Sequence, residues 1–160
     1  MSQEHRDIID LHHDESAEPP FEYNQITDQI YIGTNACCQM HFSKELLERG
    51  VSCDISLEGE RVDKPEGVES YLWLPTIDHT PPTHDQAMIG IQALEEMIRL
   101  GKKIYIHCKN GHGRAPTFYA AFLILKRGLS VEAAIEAIRS KRPSIHLEES
   151  QINFLKSLKT

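Results

Sequence analysis

Residues 104–127 constrain the fold more than any other stretch. Ile104-Tyr105-Ile106-His107 is a short β-branched and aromatic run that reads as a buried strand. Cys108 follows, then Lys109-Asn110-Gly111-His112-Gly113, then Arg114-Ala115-Pro116 and an apolar helical stretch. The order is strand, glycine-containing loop and helix, with a proline near the helix start, where its missing N–H leaves nothing unsatisfied. Such a unit needs a sheet to receive the strand and a layer to receive the helix, which points to an α/β fold. The rest of the chain agrees. Strands near 26–32, 51–57, 70–74 and 103–107 alternate with helices near 43–50, 84–100, 115–127, 131–141 and 147–158. The reading is a central, mostly parallel sheet of four to five strands flanked by helices. Gly50, Gly101 and Gly128 fall where helices should stop.

The same loop is suited to binding an anion. Gly111 and Gly113 allow backbone conformations closed to other residues, so successive N–H groups can converge as a nest completed by the positive end of the helix. A thiol at such a place ionises more readily than a free one, which marks Cys108 as a nucleophile. Arg114, six residues on, returns to the same concavity, where its planar fork can hold two oxygens of a phosphate. A bare cysteine-to-arginine spacing is weak evidence; the strand, the glycines and the helix around it make it specific. Metal binding through His107, Cys108 and His112 is disfavoured, since no second ligand cluster lies nearby in sequence. The other cysteines, Cys37, Cys38 and Cys53, read as reduced structural thiols.

Charge is unevenly spread over the 160 residues, whose net charge is −7. Residues 1–20 hold six acids and one base and read as an acidic flexible tail, leaving 21–160 as a single domain. Residues 21–98 carry 14 acids and 4 bases, whereas residues 99–142 carry 2 acids and 10 bases and surround the loop, where a positive field would concentrate an anionic substrate. Nucleic acid is not expected as a partner, because the domain is acidic overall and the basic block lacks interleaved aromatics. No apolar run reaches the roughly 18 residues of a membrane span and no signal peptide opens the chain, so the expected setting is cytoplasmic and the expected state a monomer.

Release of a phosphoryl group from oxygen needs a proton delivered to that oxygen. Asp78, in the loop-rich segment Thr76-Ile77-Asp78-His79-Thr80-Pro81-Pro82, is preferred as donor over Asp85, which opens a helix where an acid commonly serves the dipole. Glu58 or Glu60 could orient Arg114, although surface charge is the plainer reading of either.

These residues resemble the cysteine-dependent protein tyrosine phosphatase superfamily in its compact dual-specificity branch, over most of residues 23–158. Residues 24–33 resemble its opening strands, the Asp78 segment its acid loop, His107–Arg114 its phosphate loop, and Ile138-Arg139-Ser140-Lys141-Arg142-Pro143 a late helix-to-loop signature. The resemblance implies that Cys108 takes the phosphoryl group as phosphocysteine and Arg114 holds it. Asp78 would protonate the leaving oxygen and then activate water. His107, Lys109, Asn110, Gly111, His112 and Gly113 would hold substrate or loop, and no metal or organic cofactor is implied. Two departures stand out. The family usually places a hydroxyl directly after the arginine, where this chain has Ala115, and Thr117 is a poor stand-in two residues on. The late Pro-Asn pair is replaced by His146-Leu147-Glu148.

For substrate, Lys109 and His112 resemble the lipid-directed phosphatase-and-tensin branch, whose acid loop also reads Asp-His-x-Pro-Pro. Phosphatidylglycerophosphate phosphatases of the mitochondrial type share the layout and a late Ser-Gln, here Ser150-Gln151. A phosphorylated protein stands beside a lipid or other anionic phospho-compound as the expected substrate. Ala115 leaves open a phosphate-binding pseudophosphatase, and a rhodanese-like sulfur or arsenate handler is a more distant alternative.

Overall fold

The computed structural model describes residues 18–158, so most of the acidic tail lies outside the described residues. Five strands, β1 (Tyr23–Gln25), β2 (Ile30–Gly33), β3 (Val51–Glu58), β4 (Ser70–Thr76) and β5 (Lys103–His107), form one sheet in the order β1-β2-β5-β3-β4. Only the β1–β2 pair is antiparallel; β5 runs parallel to β2 on one side and β3 on the other. The expected sheet is thus the observed one, with one correction. The stretch read as a single strand over 26–32 is a hairpin turn followed by β2. Thr27 Oγ1 accepts from the amides of Gln29 and Ile30, each at 3.1 Å, and so turns the chain back.

Helices α1 (Lys44–Glu48), α2 (His84–Arg99), α3 (Arg114–Arg127), α4 (Val131–Arg139) and α5 (Glu149–Ser157) cover the sheet. Side chains cap several of their starts: Thr83 and Gln86 form a capping box for α2, and Ser130 Oγ accepts from Ala133 N for α4, whereas α3 starts at Gly113 with no side-chain cap. Helix α3 ends at Gly128 in the left-handed conformation (φ 70°), as the sequence reading requires. The two faces of β5 feed separate cores. Ile104 and Ile106 join Phe118, Phe122, Ile55 and Ile91 on the α3 side, whereas Tyr105 joins Tyr31, Phe42 and Leu46 on the other. Residues 114–124 of α3 are all buried, because Phe118, Tyr119, Phe122, Leu123 and Ile124 make the helix apolar around its whole circumference. The β5–α3 junction is therefore held from every side, and residues 108–113 are the only chain between two fixed elements.

Candidate active site

The loop at that junction is fastened by its carbonyls. Lys109 O accepts from Asn35 N at 3.0 Å and His112 O from His146 N at 2.8 Å. Asn110 O and Gly111 O accept from Arg142 Nη2 and Nε at 2.9 and 2.8 Å, and Gly113 O accepts from Thr117 N and Oγ1. Five consecutive carbonyls thus face the scaffold. Because C=O and N–H of a planar trans peptide point to opposite sides, the amides of residues 110–114 turn towards the cleft. Gly111 sits at φ 71°, and a Cβ there would lie 2.5 Å from Gly33 O, so both its conformation and its surroundings demand glycine.

Asp78, Cys108, Asn110, His112, Gly113 and Arg114 line one cleft, together with Gln151. Of the other residues expected to hold substrate, His107, Lys109 and Gly111 lie outside its lining: His107 is fully buried beneath the loop, and Gly111 faces Arg142. Cys108 is only 3 % exposed. Arg114, also buried, points its guanidinium inward. Nη1 and Nη2 donate to Glu60 Oε1 and Oε2 at 2.6 and 3.1 Å, and Nη1 also donates to Thr76 O at 2.8 Å. Burial lowers the Arg114 pKa, but the neighbouring Cys108, Glu60 and Asp78 outweigh that and raise it, so the guanidinium is firmly cationic. Its buried Nε has no hydrogen-bond partner among the described residues and stands 3.4 Å from Asp78 Oδ1, out of alignment for a bond.

The two glutamates depart from the surface reading. Glu60 is the bidentate partner of Arg114, and Glu58 is buried, accepting from Asn35 Nδ2 at 3.0 and 2.9 Å. Burial pushes the Glu58 carboxyl above its usual range. Asp85 lies in the first turn of α2 with its side chain 98 % exposed, while Asp78 reaches Arg114. The Asp78 loop is shaped by His79, the one non-glycine residue with positive φ (64°) among those described, whose amide donates to Asp78 Oδ1 at 2.9 Å. Helix α5 holds this loop: Ser150 Oγ donates to His79 O at 3.0 Å and Gln151 Nε2 to Thr80 O at 3.3 Å. Thr117 spends its hydroxyl on Gly113 O at 2.7 Å, facing its own helix.

Three features escaped the sequence reading. Arg142 stands in the sequence only as part of a late signature, yet its buried guanidinium fastens two loop carbonyls and reaches Asn24 and Glu22 at 2.7 and 3.1 Å. It supports the loop where the late Asn is absent. His107 lies between two buried carboxylates, with Nε2 3.0 Å from Asp54 Oδ1 and 2.8 Å from Asp63 Oδ2. Burial pulls its imidazole pKa down, but the two carboxylates outweigh that and hold it well above the usual range. Finally, Cys37 and Cys38, expected as thiols, are joined in a disulfide, whereas Cys53 and Cys108 are free. Adjacency in a buried 3₁₀ turn brings the two sulfurs together without any long-range pairing.

Comparison with known proteins agrees with this architecture. A family model described as the dual specificity phosphatase catalytic domain matches residues 30–160. A human phosphatidylglycerophosphatase and protein-tyrosine phosphatase 1 is 39 % identical over 113 residues, covering 70 % of this chain and 54 % of its own. The chain spans about half the length of the first curated relatives it matches. Mouse dual specificity phosphatase 28 is 26 % identical over 138 residues, covering 81 % and 77 % of the two chains. A crystal structure of PTPMT1 in complex with PI(5)P superposes with a TM-score of 0.71 at 30 % identity, over 84 % of this chain and 92 % of that one. The family model spans the sheet from β2 onward, the loop and all five helices, and the chain belongs to the dual specificity phosphatase catalytic-domain family.

Proposed function

We propose that this chain hydrolyses phosphate monoesters through a phosphocysteine intermediate. The observation that carries the reading is the buried Arg114 Nε without a hydrogen-bond partner, beside Cys108 and under a loop whose carbonyls are all engaged elsewhere. A buried N–H of a cation and converging amides suit a phosphoryl group's oxygens, which supply acceptors for both. Cys108 Sγ attacks phosphorus, the ester P–O bond breaks, and Asp78 gives its proton to the departing oxygen. Water then attacks phosphorus with Asp78 as base, the S–P bond breaks, and phosphate leaves. Glu60, fixing both terminal nitrogens of Arg114, leaves Nε as the edge offered to the substrate.

The active unit is taken as a monomer, since Asp78, Cys108 and Arg114 already meet in one cleft of a single chain, and a cytoplasmic setting suits a thiol nucleophile because it is reducing. No helix among the described residues is long and apolar enough to cross a membrane. A phosphorylated protein is one substrate class. The second is a lipid phosphate headgroup, favoured by the names of two relatives, phosphatidylglycerophosphatase and protein-tyrosine phosphatase 1 and an Arabidopsis phosphatidylglycerophosphate phosphatase, together with His112 in the cleft wall.

Hydrolysis of p-nitrophenyl phosphate tests the chemistry. Cys108→Ser should abolish turnover, and Arg114→Lys should lower it by at least about 10²-fold, as loss of an oriented oxyanion donor does. Asp78→Asn should lower turnover by about 10²-fold or more, as loss of a general acid does, with substrate binding little changed; an unaltered rate would transfer the proton to another group. Rates on a phosphopeptide, a phosphoinositide and phosphatidylglycerophosphate then separate the two substrate classes.

A further inference from the structure

Behind the loop lies a cluster that the proposed reaction does not use. Asp54 on β3, Asp63 in the β3–β4 connection, His107 at the end of β5 and Cys38 in the 3₁₀ turn (Asn35–Cys38) converge, their ligating atoms all within 4.8 Å of one another. Cys38, Asp54 and His107 are fully buried, and the Asp63 side chain is too. Both carboxylates press on the same ring nitrogen, which carries at most one proton and can serve one oxygen at a time. None of the four carboxylate oxygens makes an aligned hydrogen bond among the described residues. Two buried carboxylates crowded against one imidazole, without aligned hydrogen bonds, are a costly arrangement in an interior.

We propose that this cluster is a site for a divalent cation of the zinc class, held by His107 Nε2, Asp54 and Asp63, with Cys38 Sγ as fourth ligand when the disulfide is open. Three observations support it. The carboxylates are buried and without aligned hydrogen bonds, and a divalent cation balances both. The spacing fits: Nε2 lies 3.0 and 2.8 Å from the two carboxylate oxygens and 3.6 Å from Cys38 Sγ. Metal–ligand bonds of 2.0–2.3 Å in a tetrahedron set ligand atoms about 3.3–3.6 Å apart, so small outward shifts of the oxygens admit the ion. The outer contact also fits, since His107 Nδ1 faces Cys108 O at 3.3 Å, and a metal-bound histidine commonly donates its other ring N–H to a backbone carbonyl. Borderline-soft zinc accepts this mixture of nitrogen, oxygen and sulfur, whereas magnesium and calcium require oxygen.

The disulfide makes the fourth position redox-dependent. A dithiol reductant transfers two electrons and two protons to the Cys37–Cys38 bond, giving two thiols and its own disulfide; Cys38 then releases its proton as its sulfur binds the cation. Because His107 Nδ1 faces the Cys108 carbonyl, the ion would fix the ring that braces the first residue of the phosphate loop.

The test uses the full chain carrying Cys108→Ser, which removes the catalytic thiol as a competing ligand and makes the outcome independent of phosphatase activity. The protein should bind one equivalent of Zn²⁺ or Co²⁺ that survives gel filtration. Asp54→Asn and Asp63→Asn should each weaken it by at least about a hundredfold, more than a lost outer-shell contact does. With Co²⁺, treatment with a dithiol should add a sulfur-to-metal charge-transfer band that Cys38→Ser abolishes and Cys37→Ser retains. Failure to bind either ion overturns the proposal, as does binding unaffected by both asparagine variants. If those variants do not fold, the Co²⁺ spectrum of the Cys108→Ser chain decides. Intense tetrahedral bands that change on reduction support the site, and weak octahedral bands indifferent to reduction refute it.

Discussion

At the scale of single residues, Ala115 sets the sharpest expectation. It is wholly buried directly after Arg114, at the position where the family usually carries a hydroxyl, which in the proposed reaction would assist the departure of sulfur from phosphorus in the second step. Thr117 does not replace it, because its Oγ1 is committed to Gly113 O. Breakdown of phosphocysteine should therefore limit turnover, and rapid mixing with p-nitrophenyl phosphate should show a burst of nitrophenol approaching one equivalent. Ala115→Ser should shrink the burst and raise the steady-state rate, by up to about tenfold if the new hydroxyl contributes one ordinary hydrogen bond of about 1–1.5 kcal/mol to the departing sulfur. A burst that persists unchanged in Ala115→Ser would place the slow step elsewhere. The sequence exposed this departure directly, as it did the Cys108–Arg114 spacing, because both sit in one contiguous loop. Glu60 was not legible in the same way. It lies 54 residues from Arg114, and no local pattern separates the acid that folds onto a guanidinium from its neighbours in Glu58-Gly59-Glu60-Arg61.

At the scale of elements, close approach of helices α2 and α3 keeps the loop in place. Gly90 lies where α2 meets α3 and β4, and a Cβ there would stand 2.6 Å from Phe118 Cε2 and 2.7 Å from Leu74 Cδ1. Two effects of Gly90→Ala oppose each other. Alanine gains about 0.5–1 kcal/mol in a helix interior, while an overpacked core loses typically about 1–3 kcal/mol. Both contacts are with side chains of the packed core rather than flexible surface groups, so the loss should win and the melting temperature fall by several degrees. A melting temperature at or above that of the parent would show that α2 can shift outward freely. Elements with strong local signals were readable in advance: β5 by its β-branched run, α3 by its proline start and glycine end. The β1–β2 hairpin is legible only through the resemblance of residues 24–33 to opening strands, because by periodicity Ile26, Ile30 and Ile32 keep an even spacing that reads as one strand, while the turn rests on a single hydroxyl, Thr27 Oγ1. The Asp54–His107–Asp63 cluster was hidden for the same reason as Glu60, its members coming from three separate segments.

Over the whole molecule, the acidic segment 21–98 and the basic segment 99–142 are halves of one charge pattern. Glu22 meets Arg142, Glu60 meets Arg114, Glu69 meets Lys102 and Glu95 meets Arg127, so much of the basic block is neutralised on folding instead of projecting a field. Glu58 differs from these acids, since burial without a bonded cation raises its carboxyl pKa, opposed by the Asn35 amide and Arg61 and reinforced by Glu60. A group whose pKa is higher folded than unfolded binds protons more tightly in the folded state. Its contribution to stability is thus fully present below the ordinary glutamate value and is lost as pH rises through the raised one. Glu58→Gln removes this loss, and its change in hydrogen bonding to Asn35 adds an offset that does not vary with pH. Melting temperatures of parent and variant measured from pH 4 to 8 should therefore converge or cross as pH rises, with the variant gaining relative to the parent until the Glu58 carboxyl is ionised in the folded protein and the difference levels off. A difference that stays constant across that range would mean that Glu58 ionises in the fold as readily as in the open chain, and that Asn35 and Arg61 fully offset its burial.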